Sequence, residues 1–221
     1  MSDFQNDIYE ETLGIVLGMV KKSPVLEDLA NWFMSTYSAK IINFRFALAD
    51  TRQSNRYRLY MILETREDYL KMVNHLLHDN KAHTTHVANG FKGIAQRHQY
   101  ATDEQIKEMW VAYQDFSEEA GRKTSRKAIL EAKPQILEKN PTVWDVISSA
   151  SYGLVVFYYT GNDVIENQNN GTSKMIEDAY YSILKKYDQI KFFTKGNMHL
   201  MFDSKENLDK NYGGSLFFYF R

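Results

Sequence analysis

Two distant segments of this chain carry the same order of chemistry. Glu64-Thr-Arg-Glu-Asp-Tyr-Leu-Lys71 and Asp203-Ser-Lys-Glu-Asn-Leu-Asp-Lys210 each run acid, hydroxyl, base, glutamate. Each comes after an apolar run that reads as a strand, and each hydroxyl stands where it can cap a helix. Such an echo constrains the fold more than any single motif, because one supersecondary unit used twice must bury the same face twice.

The segments upstream of both echoes read as helix, strand, strand, which gives the unit as βαββαβ. The expected fold is therefore α+β: two ferredoxin-like plait units, internally duplicated and separated by a helical insert. The boundaries read as residues 1–80, 81–145 and 146–221, packed into one body. In the first unit Ser23-Pro24 opens a helix, with Leu26, Leu29, Ala30, Phe33 and Tyr37 as its apolar stripe. Ile42, Phe44, Phe46 and Leu48 then alternate with polar or small residues, and a second alternating run over 56–63 completes a hairpin through a turn at 50–55. Thr65 with Asp68 caps the next helix, whose inner face carries Tyr69, Met72, Val73 and Leu76. The stretch 11–20 fits strand or helix.

In the insert, Thr102-Asp-Glu-Gln105 is a capping box, and Ile106, Met109, Trp110, Tyr113 and Phe116 come after it at helical spacing until Gly121. A further helix from Ser125 is interrupted or kinked at Pro134. The second unit reads as strand 152–160, polar loop 161–171, helix 173–187, strands 190–194 and 197–202, a short helix 205–210 and a last strand 215–221. Its strands are apolar on both sides, as in Val155-Val-Phe-Tyr-Tyr159, so both faces of that sheet should be covered.

Composition narrows the function. With 221 residues, 43% of them hydrophobic, the chain can bury a substantial core. A net charge of -1 supplies no global field toward nucleic acid or an anionic membrane, so such a partner would need a local patch. The absence of cysteine excludes disulfides, zinc ribbons, iron–sulfur ligation and a cysteine nucleophile, and fits a cytoplasmic protein. The acidic N-terminus and the short apolar run at 13–20 argue against a signal peptide or anchor.

No catalytic or cofactor motif is present. Gly121-Arg-Lys-Thr-Ser lacks the upstream glycine and strand of a phosphate loop. Glu10 with Glu11, and Glu118 with Glu119, point apart on a helix and cannot work as an acid/base pair. His199 alternates with Met198 and Leu200 and reads as a sheet histidine rather than a base. No cofactor is expected.

Three functional classes remain. The favoured one is a non-enzymatic protein-binding module (adaptor, inhibitor or assembly component) that uses an aromatic and arginine surface formed by Arg45, Arg58, Tyr60 and Trp110, the residue types that dominate interface hot spots. Trp110 fits a core position equally well. The second class is a nucleic-acid binder using the basic face of the first hairpin, Arg45, Arg56, Arg58 and Tyr60, with the segment Arg122, Lys123, Arg126 and Lys127. The third is a metal- or haem-dependent enzyme built on His75, His78, His83, His86 and His98, two pairs of which have i, i+3 spacing. Against that stands the position of His78, opposite the apolar stripe, where solvated residues sit.

Overall fold

The computed structural model describes residues 3–48, 56–73, 81–107, 109–149 and 152–221. Within them the hydroxyl caps act as expected. Ser23 Oγ accepts from Leu26 N, Thr65 Oγ1 from Asp68 N, Thr102 Oγ1 from Gln105 N and Ser204 Oγ from Asn207 N. Internal packing divides the chain into two units, Met1–Glu118 and Glu119–Arg221. Both are mixed α and β, and among the described residues no helix is long and apolar enough to cross a membrane.

The first unit comprises α1 (Asp3–Val16), α2 (Pro24–Tyr37), β1 (Ile41–Leu48), β2 (Tyr57–Leu63), α3 (Arg66–Met72), α4 (Lys81–Arg97), α5 (Asp103–Lys107), β3 (Trp110–Asp115) and the start of α6 (Phe116–Lys139). β2 lies between an antiparallel β1 and a parallel β3. Phe44, Leu59, Met61 and Val111 form the inner face, which packs with Leu29 and Phe33 of α2 and Val87 and Phe91 of α4. On α1, Thr12 is buried: it donates to Ile8 O and accepts from Asn43 Nδ2, which ties the helix to β1.

The second unit takes the rest of α6, then β4 (Val143–Ser148), β5 (Leu154–Tyr158), α7 (Gly161–Asn169), α8 (Thr172–Tyr187), β6 (Leu200–Ser204), α9 (Lys205–Tyr212) and α10 (Leu216–Tyr219). β5 again lies between an antiparallel and a parallel neighbour. All five of its residues are buried, as the doubly apolar pattern requires. Leu154, Val156 and Tyr158 pack with Ala132 of α6 and Ile176 and Tyr180 of α8, while Val155 and Phe157 meet Leu208, Trp144 and Tyr219.

The described strands thus make two three-stranded mixed sheets rather than four-stranded antiparallel plaits. A third strand parallel to the second needs a long crossover, and helices supply it in both units. Several expectations are corrected accordingly. The ambiguous stretch 11–20 is helical through Val16. The insert 81–145 is no separate element, since α4, α5 and β3 complete the first unit while most of α6 and β4 belong to the second. Trp110 and Tyr113 lie on a strand and, three residues apart, on its opposite faces: Val111, Tyr113 and Asp115 are buried in alternation while Trp110 is exposed. Gly121 does not end a helix but lies inside α6, where an added Cβ would come 2.6 Å from the Phe192 ring. Pro134 is likewise carried within α6. Residues 161–171 contain α7, because Thr160 and Asp163 form a reciprocal capping box. Residues 190–194 are not a strand, and 215–221 contain the short helix α10. The hairpin turn at 50–55 and Leu76 lie outside the described residues.

The two units share several local features. A register shift falls between Ile41 and Asn43 in the first and between Val143 and Asp145 in the second. In each, the bulge side chain accepts from the next amide, Asn43 Oδ1 from Phe44 N at 2.8 Å and Asp145 Oδ1 from Val146 N at 2.7 Å. Thr65 and Thr160 both stand two residues beyond the end of the central strand. Asp115 and Ser204 both sit at the last position of the parallel register, and each caps the helix that begins at the next residue. The echo in the sequence pairs Thr65 with Ser204, which occupy different places in this repeat. It marks two helix caps, not the register of the repetition.

Thr160→Ala should cost about 1 kcal/mol, read by urea unfolding, because it removes the hydroxyl that accepts from Asp163 N and donates to the Asp163 carboxylate. The same unit should also be sensitive to alkali. Burial raises the phenol pKa of Tyr158 and of Tyr180, and burial together with a hydrogen bond to Asp203 raises that of Tyr219. A raised pKa contributes stability that is complete below the unfolded value of about 10 and is lost as pH rises above it. The urea midpoint should therefore fall as pH rises through about 10, less steeply in Tyr219→Phe; an equal slope in that variant would remove Tyr219 from the explanation.

Candidate protein-binding face

Strand alternation places Arg58 and Tyr60 on the side of β2 opposite the Leu59 and Met61 core. Register then decides their neighbours. Arg58 faces Ala47 on β1 and Trp110 on β3, while Tyr60 faces Arg45 and Ala112. The Arg58 guanidinium lies 3.6 Å from the centroid of the Trp110 ring and 4.8 Å from that of Tyr60. Contacts of this kind contribute about 0.5–2 kcal/mol each. Among the described residues the Arg58 Nε is buried without a hydrogen-bond partner, and burial lowers the pKa of the guanidinium. Trp110 remains 41% exposed, so the stacked group is fixed in place yet open.

Of the four residues expected to make contact, three therefore form one cluster. Arg45 adjoins Tyr60 across the ladder but is engaged by Glu11 of α1 at 3.3 Å, a half-exposed ion pair that draws its charge away from the face. The sequence carries no sign of Glu11 as its partner, because the pairing depends on how α1 docks on β1. Arg56 precedes β2 and is exposed.

The other candidate groups are dispersed. Arg122, Lys123, Arg126 and Lys127 lie on α6 in the second unit, and Arg122 is ion-paired with the buried Glu119. His75 and His78 lie outside the described residues. His86 Nδ1 shares a 2.9 Å hydrogen bond with Tyr37 Oη, the His83 ring packs against Tyr37, and His98 Nε2 sits 2.9 Å from Asp28. His98 and, after it, Arg97 hold the Asp28 carboxyl below its usual range. His86 and His98 bond to protein groups, whereas His83 Nδ1 is buried with no hydrogen bond among the described residues; among those residues no group of three or more His, Asp or Glu could hold a metal. Glu118 pairs with Arg66 at 3.2 Å, and His199 is exposed beside Tyr152.

No protein-family model, curated protein or solved structure matches this chain.

Proposed function

We propose that the chain is a non-enzymatic protein-binding module, an adaptor, inhibitor or assembly component, whose contact surface centres on Arg58, Tyr60 and Trp110 with Arg45 at its margin. The observation that carries this reading is the Arg58 guanidinium stacked on a half-exposed Trp110. Stacking fixes side chains that would otherwise lose rotamer freedom on binding, and Trp, Tyr and Arg are the residues through which interfaces gain most of their energy. Arg45, the other arginine beside this cluster, already faces Glu11, which counts against a phosphate cradle there. We further infer that the two halves are copies of one ββαβ unit, supported by the matched bulges and caps.

The test is cross-linking and capture with the full chain, comparing parent, Trp110→Ala and Arg58→Glu. Loss of a hot spot worth about 2 kcal/mol should weaken capture about thirtyfold while far-UV circular dichroism is unchanged. Folded variants that retain their partner would reject this face. A captured oligonucleotide with steep salt dependence would transfer the function to nucleic-acid binding.

A further inference from the structure

An asparagine followed by glycine is the least hindered setting for attack of the backbone on a side-chain amide, because glycine has no Cβ to shield its own nitrogen. The chain holds two such pairs, Asn89-Gly90 and Asn170-Gly171. Both asparagines are exposed, and the fold separates them. Gly90 lies within α4, where its amide belongs to the helical ladder, and an added Cβ there would come 2.3 Å from the Trp32 ring. Asn170 and Gly171 instead make the turn between α7 and α8. Gly171 has a φ of 86°, a conformation that side chains resist, and open space where a Cβ would stand. Among the described residues its amide has no hydrogen-bond acceptor. The Asn170 side chain is folded back along the same turn, its Oδ1 accepting from Thr172 N at 2.9 Å.

We propose that Asn170 is a site of spontaneous self-modification. The Gly171 nitrogen bonds to Asn170 Cγ, the Cγ–Nδ2 bond breaks, and ammonia leaves with the amide proton. Water then opens the resulting succinimide at either carbonyl, which yields aspartate or isoaspartate without any redox change. Negative charge develops on Oδ1 during the attack, and the Thr172 N–H already donates to that oxygen. The aspartyl product adds one negative charge to a chain of net charge -1. It places that charge just before α8, whose first turn holds no acidic residue and whose dipole favours an anion. The isoaspartyl product instead lengthens the main chain by one carbon between two helices, so it should loosen the start of α8.

The full chain, folded and in urea, is incubated at mildly alkaline pH until both pairs have reacted in the unfolded sample, and peptides from one digest are read by mass spectrometry. In the folded chain Asn170 should convert at least about tenfold faster than Asn89, because an amide inside a helix reacts only through local opening. In urea the two rates should converge. Asn170→Gln should remove the acidic form that accumulates on isoelectric focusing of the folded chain, and Asn89→Gln should leave it. Equal rates at Asn89 and Asn170 in the folded chain would overturn the inference. A folded Asn170 that stays intact while its unfolded counterpart reacts would overturn it too, since the turn would then protect the site.

Discussion

Asp188→Ala should destabilise the second unit by about 3–5 kcal/mol, the range found when one partner of a buried, hydrogen-bonded charge pair is removed. The carboxylate side chain is fully buried at the end of α8. One oxygen accepts from Phe192 N at 2.7 Å; the other accepts from Phe193 N at 2.9 Å and from the Lys185 ammonium at 2.8 Å. Lys185 also donates to Phe193 O at 3.1 Å, so the loop after α8 is wound around a single side chain. Alanine would leave two amides and a half-buried ammonium without their acceptor, and would release Phe193, which is 1% exposed in the core. Asp188→Asn keeps one acceptor oxygen and should cost less, about 1–3 kcal/mol. Urea unfolding monitored by far-UV circular dichroism measures both. A loss under about 1 kcal/mol in the alanine variant would mean that the loop finds other acceptors.

That loop also shows where sequence reading fails. Ile190, Phe192 and Phe193 have strand-like composition, yet the amides of Phe192 and Phe193 are committed to a side chain four and five residues upstream. Composition cannot register such a bond. Short aromatic runs fail for a related reason: Leu216-Phe-Phe-Tyr has the residues of a strand, but Tyr219 is drawn to Asp203 at 2.7 Å and the segment closes into a helical turn. Periodic and capped segments are the legible ones. The β1–β2 hairpin, the α2 stripe and four hydroxyl caps can be read because alternation and capping are local properties. Trp110 reads as helical and lies on a strand, yet three of the four residues expected to make contact still converge. Alternation alone places Arg58 and Tyr60, and the parallel register then brings β3 beside them. Glu11 gives no signal, because it acquires its role from helix docking.

The echo in the sequence reads as a duplicated unit, but the features the two units share fall at other positions. Two caps with the same order of chemistry suggest a duplicated unit, while the matching positions are Thr65 with Thr160 and Asp115 with Ser204. Hydroxyl and acidic residues are interchangeable at a cap, so identity of chemistry cannot say which cap corresponds to which. The bulge pair, Asn43 and Asp145, is the better marker, because a side chain that accepts from its own next amide tracks one irregularity in one ladder.

The core of the first unit should respond most strongly at Phe91. Phe91→Ala removes a fully buried ring whose centroid lies 5.3 Å from Phe46, 5.7 Å from Phe44 and 6.3 Å from Tyr100, and should cost about 3–5 kcal/mol. Phe91→Leu, which leaves a smaller gap, should cost about 1–2 kcal/mol. Val87 and Ile94 would still anchor the helix, and the close seat of Gly90 on Trp32 would still set its height, so the alanine chain should fold with a looser α4. Amide exchange along 81–97 should accelerate in that variant. Lys92→Glu lies on the same helix but outside the core, and should leave both the urea midpoint and amide protection unchanged. A Lys92→Glu chain that unfolds as early as Phe91→Ala would show that this lysine holds the fold as well.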